Sequence, residues 1–496
     1  MAVDTALVWF RRDLRLHDNP TLDVAAGAGE LLSVYCFDPR EYGTVRFGGS
    51  DSFPFQKTGS HRARFRRESV ADLRDSLREH DSDLLVAHEK PEDAIPALAE
   101  AVDADAVYFQ TLPTSEESAL ERLVKTRLRE RDVAAHSFWT HTLYHLDDLP
   151  TPYTQIDDTF TPFRKQVESS SAVREPLAVP SLPPSPSPSD SLDDIDALDD
   201  LDGGFDALPT LADLGLDDRS VDDRGVLPFA GGESAALDRL ETYVWEHDRL
   251  REYKQTRNGL LGADYSSKLS PWLNEGCLSP RYVKVEVDRY ESERVANDST
   301  YWLLFELAWR DFFQFQFQKH GDRFFSRGGI RNPDIDWQED RDALGRWAAG
   351  ETGIPFVDAN MRELNRTGFM SNRGRQNVAS FLANNLRVDW RWGAAYFETQ
   401  LVDYDPCSNY GNWAYIAGVG NDSRDRYFNV VKQAKKYDSQ AEYVKHWLPE
   451  LSALPADRAH EPWTLSPEEQ AKYGVHLGVD YPQPMVDVEA SYEKLR

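Results

Sequence analysis

The sequence predicts an α/β domain built on a parallel sheet, followed by an all-α domain. Two observations carry that reading. In the first 140 residues short apolar runs alternate with helical patterns, as expected of a parallel sheet covered by helices on both faces. From Ala235 onward the pattern is helical almost throughout, with Trp and Tyr frequent and β-branched runs scarce. Between the two lie a Pro/Ser-rich stretch, Pro176–Ser191, and an Asp-rich one, Asp190–Asp223. Such composition buries too little apolar surface to order itself. The expected organisation is therefore an α/β domain over 1–140, a connector with an acidic insert over 141–234, and a helical domain over 235–496.

The buried strands are expected at Ala6–Phe10, Leu31–Phe37, Leu84–Ala87 and Ala106–Phe109. Helical patterns between them include Arg62–Arg78 and Glu116–Glu130, the second opening on Thr114 and Glu117 at capping-box spacing. The sheet is Rossmann-like, yet neither GxGxxG nor GxxxxGK[ST] follows its first strand, so it is no standard dinucleotide or P-loop domain. In the C-terminal half, Thr352–Leu451 reads as a helix pair joined by a polar loop, then a long loop rich in Asp, Asn and Gly.

Composition narrows the setting. With 496 residues, 40% of them hydrophobic, the chain can bury two sizeable cores. No N-terminal leader pattern is present, and no apolar run approaches the roughly 20 residues that cross a bilayer. Cys36, Cys277 and Cys407 are far apart, without metal-ligand spacing or a disulfide framework. A monomeric cytoplasmic protein without a metal is expected. The net charge of -29 argues against nucleic-acid binding by the surface as a whole, because phosphate contacts need Lys and Arg. Abundant Asp fits solubility in a saline, halophilic cytoplasm, and any DNA contact must then rest on a local basic patch.

The chemistry concentrates in the helical half. Arg373 and Arg375 open the second helix of the pair, where unpaired N–H groups favour anions. Asp403 and Asp405 are two carboxylates in an aromatic loop beside Cys407, Asn409, Trp413 and Tyr415. A random Asp pair is more often a solvated turn, but these neighbours suggest burial. A buried carboxylate needs a partner, for which Arg375 is the candidate. Trp302, Glu306, Trp309, Arg310 and Phe313 recur at three- and four-residue steps on one helix face. That stripe reads equally as core with a buried ion pair.

The motifs LVWFRRDLRLHDNPTL, YKQTRNGLLGADYSSKLSPWL, NRGRQNVASF and SNYGNWAY, in this order, resemble the photolyase/cryptochrome superfamily, and within it the cryptochrome DASH branch. The resemblance spans nearly the whole chain except the insert. It implies FAD in the helical domain. Tyr253, Ser266, Ser267, Lys268, Leu269 and Ser270 would hold the diphosphate and ribityl region, although ordinary capping accounts for serines there equally well. Asp403 and Asp405 would take polar groups of the isoalloxazine and ribityl, Arg375 would pair with Asp403, and Asn409 would face the flavin N5, where plant cryptochromes carry Asp. Trp413, Trp390 and Trp337 fall on the family's electron-transfer chain, though among 13 Trp any single one is more often packing.

For DNA, the resemblance has Glu306 hydrogen-bonding a flipped base and Trp309 stacking on it, with Arg310 on the same face. Asn372 and Arg373 would bind the lesion and its phosphate, Arg257 the backbone, and Lys432, Lys435 and Lys436 would extend a basic rim. Gln376 and Tyr415 stand where many cyclobutane-dimer photolyases have Met and Trp. The implied activity is that of a deoxyribodipyrimidine photolyase: blue-light-driven repair of cyclobutane pyrimidine dimers in UV-damaged DNA, preferring single strands, by electron transfer from excited reduced FAD. The competing reading is a blue-light photoreceptor using the same flavin and Trp chain; the 45 residues after Leu451 leave little room for a signalling tail. Repair of 6-4 photoproducts needs paired His, and Thr367–Asn372 has none. A folate antenna (5,10-methenyltetrahydrofolate) would lie near Tyr108–Glu117, where Leu112 occupies the position of an antenna-binding Glu in relatives.

Overall fold

The computed structural model describes residues 3–47, 53–186, 204–205, 207–218, 222–422 and 427–493. The four expected strands form as β1 (Thr5–Phe10), β2 (Glu30–Cys36), β5 (Leu84–His88) and β6 (Ala106–Gln110). Between them a short antiparallel pair, β3 (Thr44–Arg46) and β4 (Pro54–Gln56), makes a separate ribbon. Two further strands, β7 (Ala134–Phe138) and β8 (Gly204–Phe205), complete a sheet of order β7-β6-β1-β2-β5-β8. The five strands from β7 to β5 are parallel, and β8 adds antiparallel at the edge. β7 escapes sequence reading because, at the sheet edge, it is only half buried and lacks an apolar run. Leu7, Trp9, Val34, Ile95, Leu98, Val107, Phe109, Val124 and Leu128 form the core between the sheet and the helices Pro91–Ala101 and Ser115–Arg129. Thr114 is the N-cap of the latter, but its hydroxyl donates to Glu117 at 2.5 Å and makes no cap bond to the backbone, so the two residues meet side chain to side chain in place of the expected capping box.

The chain divides into two compact units at boundaries other than 140 and 234. One comprises Met1–Arg219, Phe229–Arg251 and Lys268–Asp322; the other Ser220–Pro228, Glu252–Ser267 and Arg323–Arg496. Buried ion pairs draw the first helices of the helical region to the sheet-bearing unit. Arg66 pairs with Glu275 at 3.1 Å, Glu233 with His17 at 2.5 Å, and Arg281 with Asp18. Most of the Asp-rich stretch lies outside the described residues. Its later part does have a buried side, contrary to expectation: Leu211 and Leu214 are buried, and Pro209 O accepts from Arg67 Nε at 2.9 Å.

The second unit is helical. It includes Arg341–Ala349, Pro355–Thr367, Asn372–Ser380, Trp390–Gln400, Pro406–Ile416, Val430–Tyr437 and Glu442–Trp447, with Phe356, Ala359, Tyr443, Trp447, Leu448 and Leu451 in a shared core. The long loop expected after Gln400 shrinks to Leu401–Asp405, because SNYGNWAY is itself helical. Asp405 caps that helix through Ser408 N at 2.7 Å and Pro406 occupies its first turn, start signals that the Asn and Gly content masked. Among the described residues, no helix is long and apolar enough to cross a membrane, and no group of three His, Cys, Asp or Glu could hold a metal.

Candidate functional site

The Arg375–Asp403 pair forms as charge and burial require. The helix Pro355–Thr367 ends on Gly368, whose φ of +71° suits glycine. Gly374 allows the next helix to pass close: a Cβ there would stand 1.9 Å from Asn360 Oδ1. Arg375 leaves that helix to meet both Asp403 oxygens, at 2.9 and 2.8 Å, and its Nε donates to Met370 O at 2.9 Å. Asp403 and Asp405 are 5% and 6% exposed, so neither is a solvated turn. Asn409 donates Nδ2 to Ala394 O at 2.9 Å, which leaves Oδ1 as an acceptor with no protein partner among the described residues. The Tyr265 phenol is held far above its ordinary pKa by burial and by Glu363, with Arg375 opposing. Glu363 also accepts from Tyr443 at 2.6 Å. Tyr265, Glu363 and Tyr443 went unnoticed in the sequence, where they are far from the Asp pair.

The three Trp residues lie along adjoining elements. Trp413 is 2% exposed and rests against the helix of Trp390 at Gly393, where a Cβ would come within 2.3 Å of its Cη2. Trp390 donates Nε1 to Arg327 O at 3.0 Å, and the Arg327 guanidinium donates to Trp337 O at 2.7 Å. Tyr410, one turn before Trp413, meets Trp390 edge-on at 6.2 Å. The direct ring neighbours of Trp413 are Trp347 at 6.1 Å and Phe397 at 5.2 Å. Gly393, Arg327 and Trp347 were missed; the only signal available was Gly393 three residues after Trp390, on the same helix face.

On the same unit, Arg373 donates to Gln376 at 2.9 Å, to Asn258 at 2.9 Å and to Gln433 at 3.4 Å, and lies 4.4 Å over the Tyr437 ring. Its guanidinium bonds to amides and, among the described residues, to no carboxylate. Burial lowers its pKa, Tyr437 opposes, and nearby Arg257 lowers it further. Asn372 is exposed beside it. Of the lysines, Lys435 pairs with Glu461 and Lys436 lies over Tyr437. Tyr415 is buried, packed where a Cβ on Gly420 would meet it at 2.5 Å. Tyr253 opens a short helix that ends before Arg257; Ser266 and Ser267 follow in a bend.

The remaining expected residues belong to the first unit. On the helix Asp298–His320, Trp302 Nε1 donates to Glu306 at 3.1 Å, and Trp309 stacks on Phe160 at 3.6 Å and 13°. Arg310 donates to His141 O and, at 3.1 Å, to Leu273 O, bonds that brace backbone. Lys268 is buried at φ +55°, and Leu269 precedes the helix that begins at Ser270. Leu112 is buried and its carbonyl accepts from Ser118 at 3.2 Å.

Residues 6–186 match the family described as DNA photolyase, and 302–496 the FAD binding domain of DNA photolyase. Over 494 residues the chain is 60% identical to cryptochrome DASH of Natronomonas pharaonis, covering 99% of this chain and 100% of that one. It is 49% identical to cryptochrome DASH of Synechocystis sp., covering 99% and 97%. The crystal structure of the Synechocystis cryptochrome superposes with a TM-score of 0.92 at 49% identity, covering 100% of this chain and 99% of that one. A bacterial class III photolyase from Agrobacterium tumefaciens gives 0.82 at 29%, covering 100% and 96%. FAD is the cofactor, and the donor set fits it: a buried guanidinium–carboxylate pair and an amide oxygen left as an acceptor suit the alternating donors and acceptors of an isoalloxazine edge. The chain belongs to the photolyase/cryptochrome superfamily, in its cryptochrome DASH branch.

Proposed function

We propose that this protein repairs cyclobutane pyrimidine dimers in DNA under blue light, with single strands preferred. The observation that carries the reading is the Arg257–Arg373 neighbourhood. The Arg373 guanidinium, bonded to amides and to no carboxylate among the described residues and close enough to Arg257 to feel its charge, on a chain of net charge -29, supports a place kept positive for a phosphate. Reduced FAD, when bound and excited, supplies the electron that opens the dimer. Arg375 and Asp403 hold the ring edge. Asn409, whose amide oxygen can only accept, would favour a flavin that carries a proton to donate there, which is the reduced rather than the oxidised state. Arg373 and Asn372 take the lesion phosphate and Arg257 the adjoining backbone. Glu306 hydrogen-bonds the extruded base, and Trp309, braced flat by Phe160, provides its stacking platform. Gln376 and Tyr415 shape the lesion pocket, and a single strand spares the site the cost of unpairing. Trp413, Trp390 and Trp337 re-reduce an oxidised flavin from the surface.

The test is photorepair of a thymine dimer in single- and double-stranded oligonucleotides at several salt concentrations. Faster repair of the single strand, declining with salt, is expected. No repair at any salt would leave the photoreceptor reading.

A further inference from the structure

We propose that a second electron path leaves Trp413 through Trp347 and ends at Tyr396. It rests on the reading that Trp413 donates to the flavin, and it departs from the Trp390–Trp337 route at the first hop.

The contacts are direct. Trp413 and Trp347 meet edge-on at 6.1 Å and 73°, and Trp347 and Tyr396 at 5.7 Å and 68°, both within the favoured range for T-shaped pairs. Phe397, the other ring on Trp413, is much harder to oxidise. Trp390 makes no ring contact of this kind with Trp413 among the described residues; its own ring meets Tyr410 at 6.2 Å. The three rings come from three helices: Arg341–Ala349, Trp390–Gln400 and Pro406–Ile416. Trp347 is fully buried, whereas Tyr396 is partly exposed, so the path runs from core toward solvent. T-stacked aromatics are ordinary core; what sets this run apart is that it continues from Trp413 to a partly exposed tyrosine.

Proton bookkeeping gives the path its direction. Trp413 Nε1 has no hydrogen-bond partner among the described residues, and Trp347 Nε1 donates to Val378 O at 3.0 Å. A carbonyl is not a base, so a hole on either indole keeps its proton and stays strongly oxidising. The Tyr396 hydroxyl donates to Asn365 Oδ1 at 2.5 Å and lies 3.2 Å from Ala348 O; unlike the two buried indoles it belongs to a partly exposed residue, from which a proton can pass to solvent. Trp413 gives one electron to the photoexcited oxidised flavin. Trp347 refills Trp413, and Tyr396 refills Trp347 while its phenolic proton goes to water, which leaves a neutral tyrosyl radical. An added thiol then transfers a hydrogen atom to that radical and restores the phenol.

The experiment uses the FAD-bound protein with oxidised flavin, illuminated and freeze-trapped for electron paramagnetic resonance, alongside thiol-dependent photoreduction. Trp390→Phe blocks the other route. It should slow photoreduction without abolishing it and give a tyrosyl signal. Adding Tyr396→Phe or Trp347→Phe should abolish that signal and bring photoreduction to the level of Trp413→Phe. Placing 3,5-difluorotyrosine at 396 keeps ring and hydroxyl, and should change the hyperfine pattern even where Tyr396→Phe folds poorly. The path is overturned if Trp390→Phe gives no tyrosyl signal and loses photoreduction as fully as Trp413→Phe, a result that leaves the role of Trp413 intact. Normal photoreduction in Trp413→Phe would overturn both.

Discussion

Replacing Gly393 with Ala tests the placement of Trp413 directly. Gly393 lies inside the helix Trp390–Gln400, where Ala has the better propensity by about 1 kcal/mol. On propensity alone the variant should be more stable. Packing opposes this: the new methyl would stand 2.3 Å from Trp413 Cη2, 2.8 Å from its Cζ3 and 2.5 Å from Leu382 Cδ2. Carbon atoms rest at about 3.5 Å, so the indole must retreat by about 1.2 Å in a close-packed interior. Overpacking of that kind costs about 1–3 kcal/mol. The net expectation is a loss of up to about 2 kcal/mol by equilibrium denaturation, with slower flavin photoreduction. The decisive measurement is a double-mutant cycle with Trp413→Phe, which removes both contacting indole atoms. Its coupling should be about 1 kcal/mol or more, the residual cost being the Leu382 contact. Equal stabilisation by Gly393→Ala in both backgrounds, with unchanged photoreduction, would refute the packing of Trp413 on this helix.

Asp403→Ala leaves the Arg375 guanidinium without its carboxylate; breaking a buried pair costs about 3–5 kcal/mol, and with Arg375 a quarter exposed the low end is expected, read as a fall in the flavin-to-protein ratio. Arg257→Ala should weaken oligonucleotide binding and lower the salt slope by about one, whereas Glu306→Ala should lower repair per photon more than affinity; equal effects of both on affinity and yield would undo the assignment. Burial pushes Asp311 up to about 7 against the Tyr144 and Leu143 amides. The folded state therefore binds more protons than the unfolded between pH about 4 and 7, so stability falls as pH rises through that window and levels off above it. Melting at pH about 5 and 8 should show a larger drop for wild type than for Asp311→Asn, and an equal drop would mean Asp311 is already charged when folded.

What the sequence determined by itself was what local interactions encode. Strand runs such as Ala6–Phe10 follow from burial on both sheet faces, and helix starts from caps within one turn. The Asp403–Asp405 pair announced a site because buried carboxylates demand a cation, and Arg375 was a plausible residue to offer one. Family motifs extended that reading to Asn409 and the three Trp. Other features depended on the packed chain. The helix Pro406–Ile416 was hidden because Asn409, Gly411 and Asn412 have poor helix propensity, and packing against Trp390–Gln400 overrides them. The division between compact units follows from Arg66–Glu275, a pair 209 residues apart, which no local pattern reveals. Arg373 acquired its amide partners from Asn258, 115 residues distant, and Trp413 its place from an atom that Gly393 lacks. Such contacts are set by side-chain shape and charge across elements, and these become definite only when the helices are brought together at van der Waals distance.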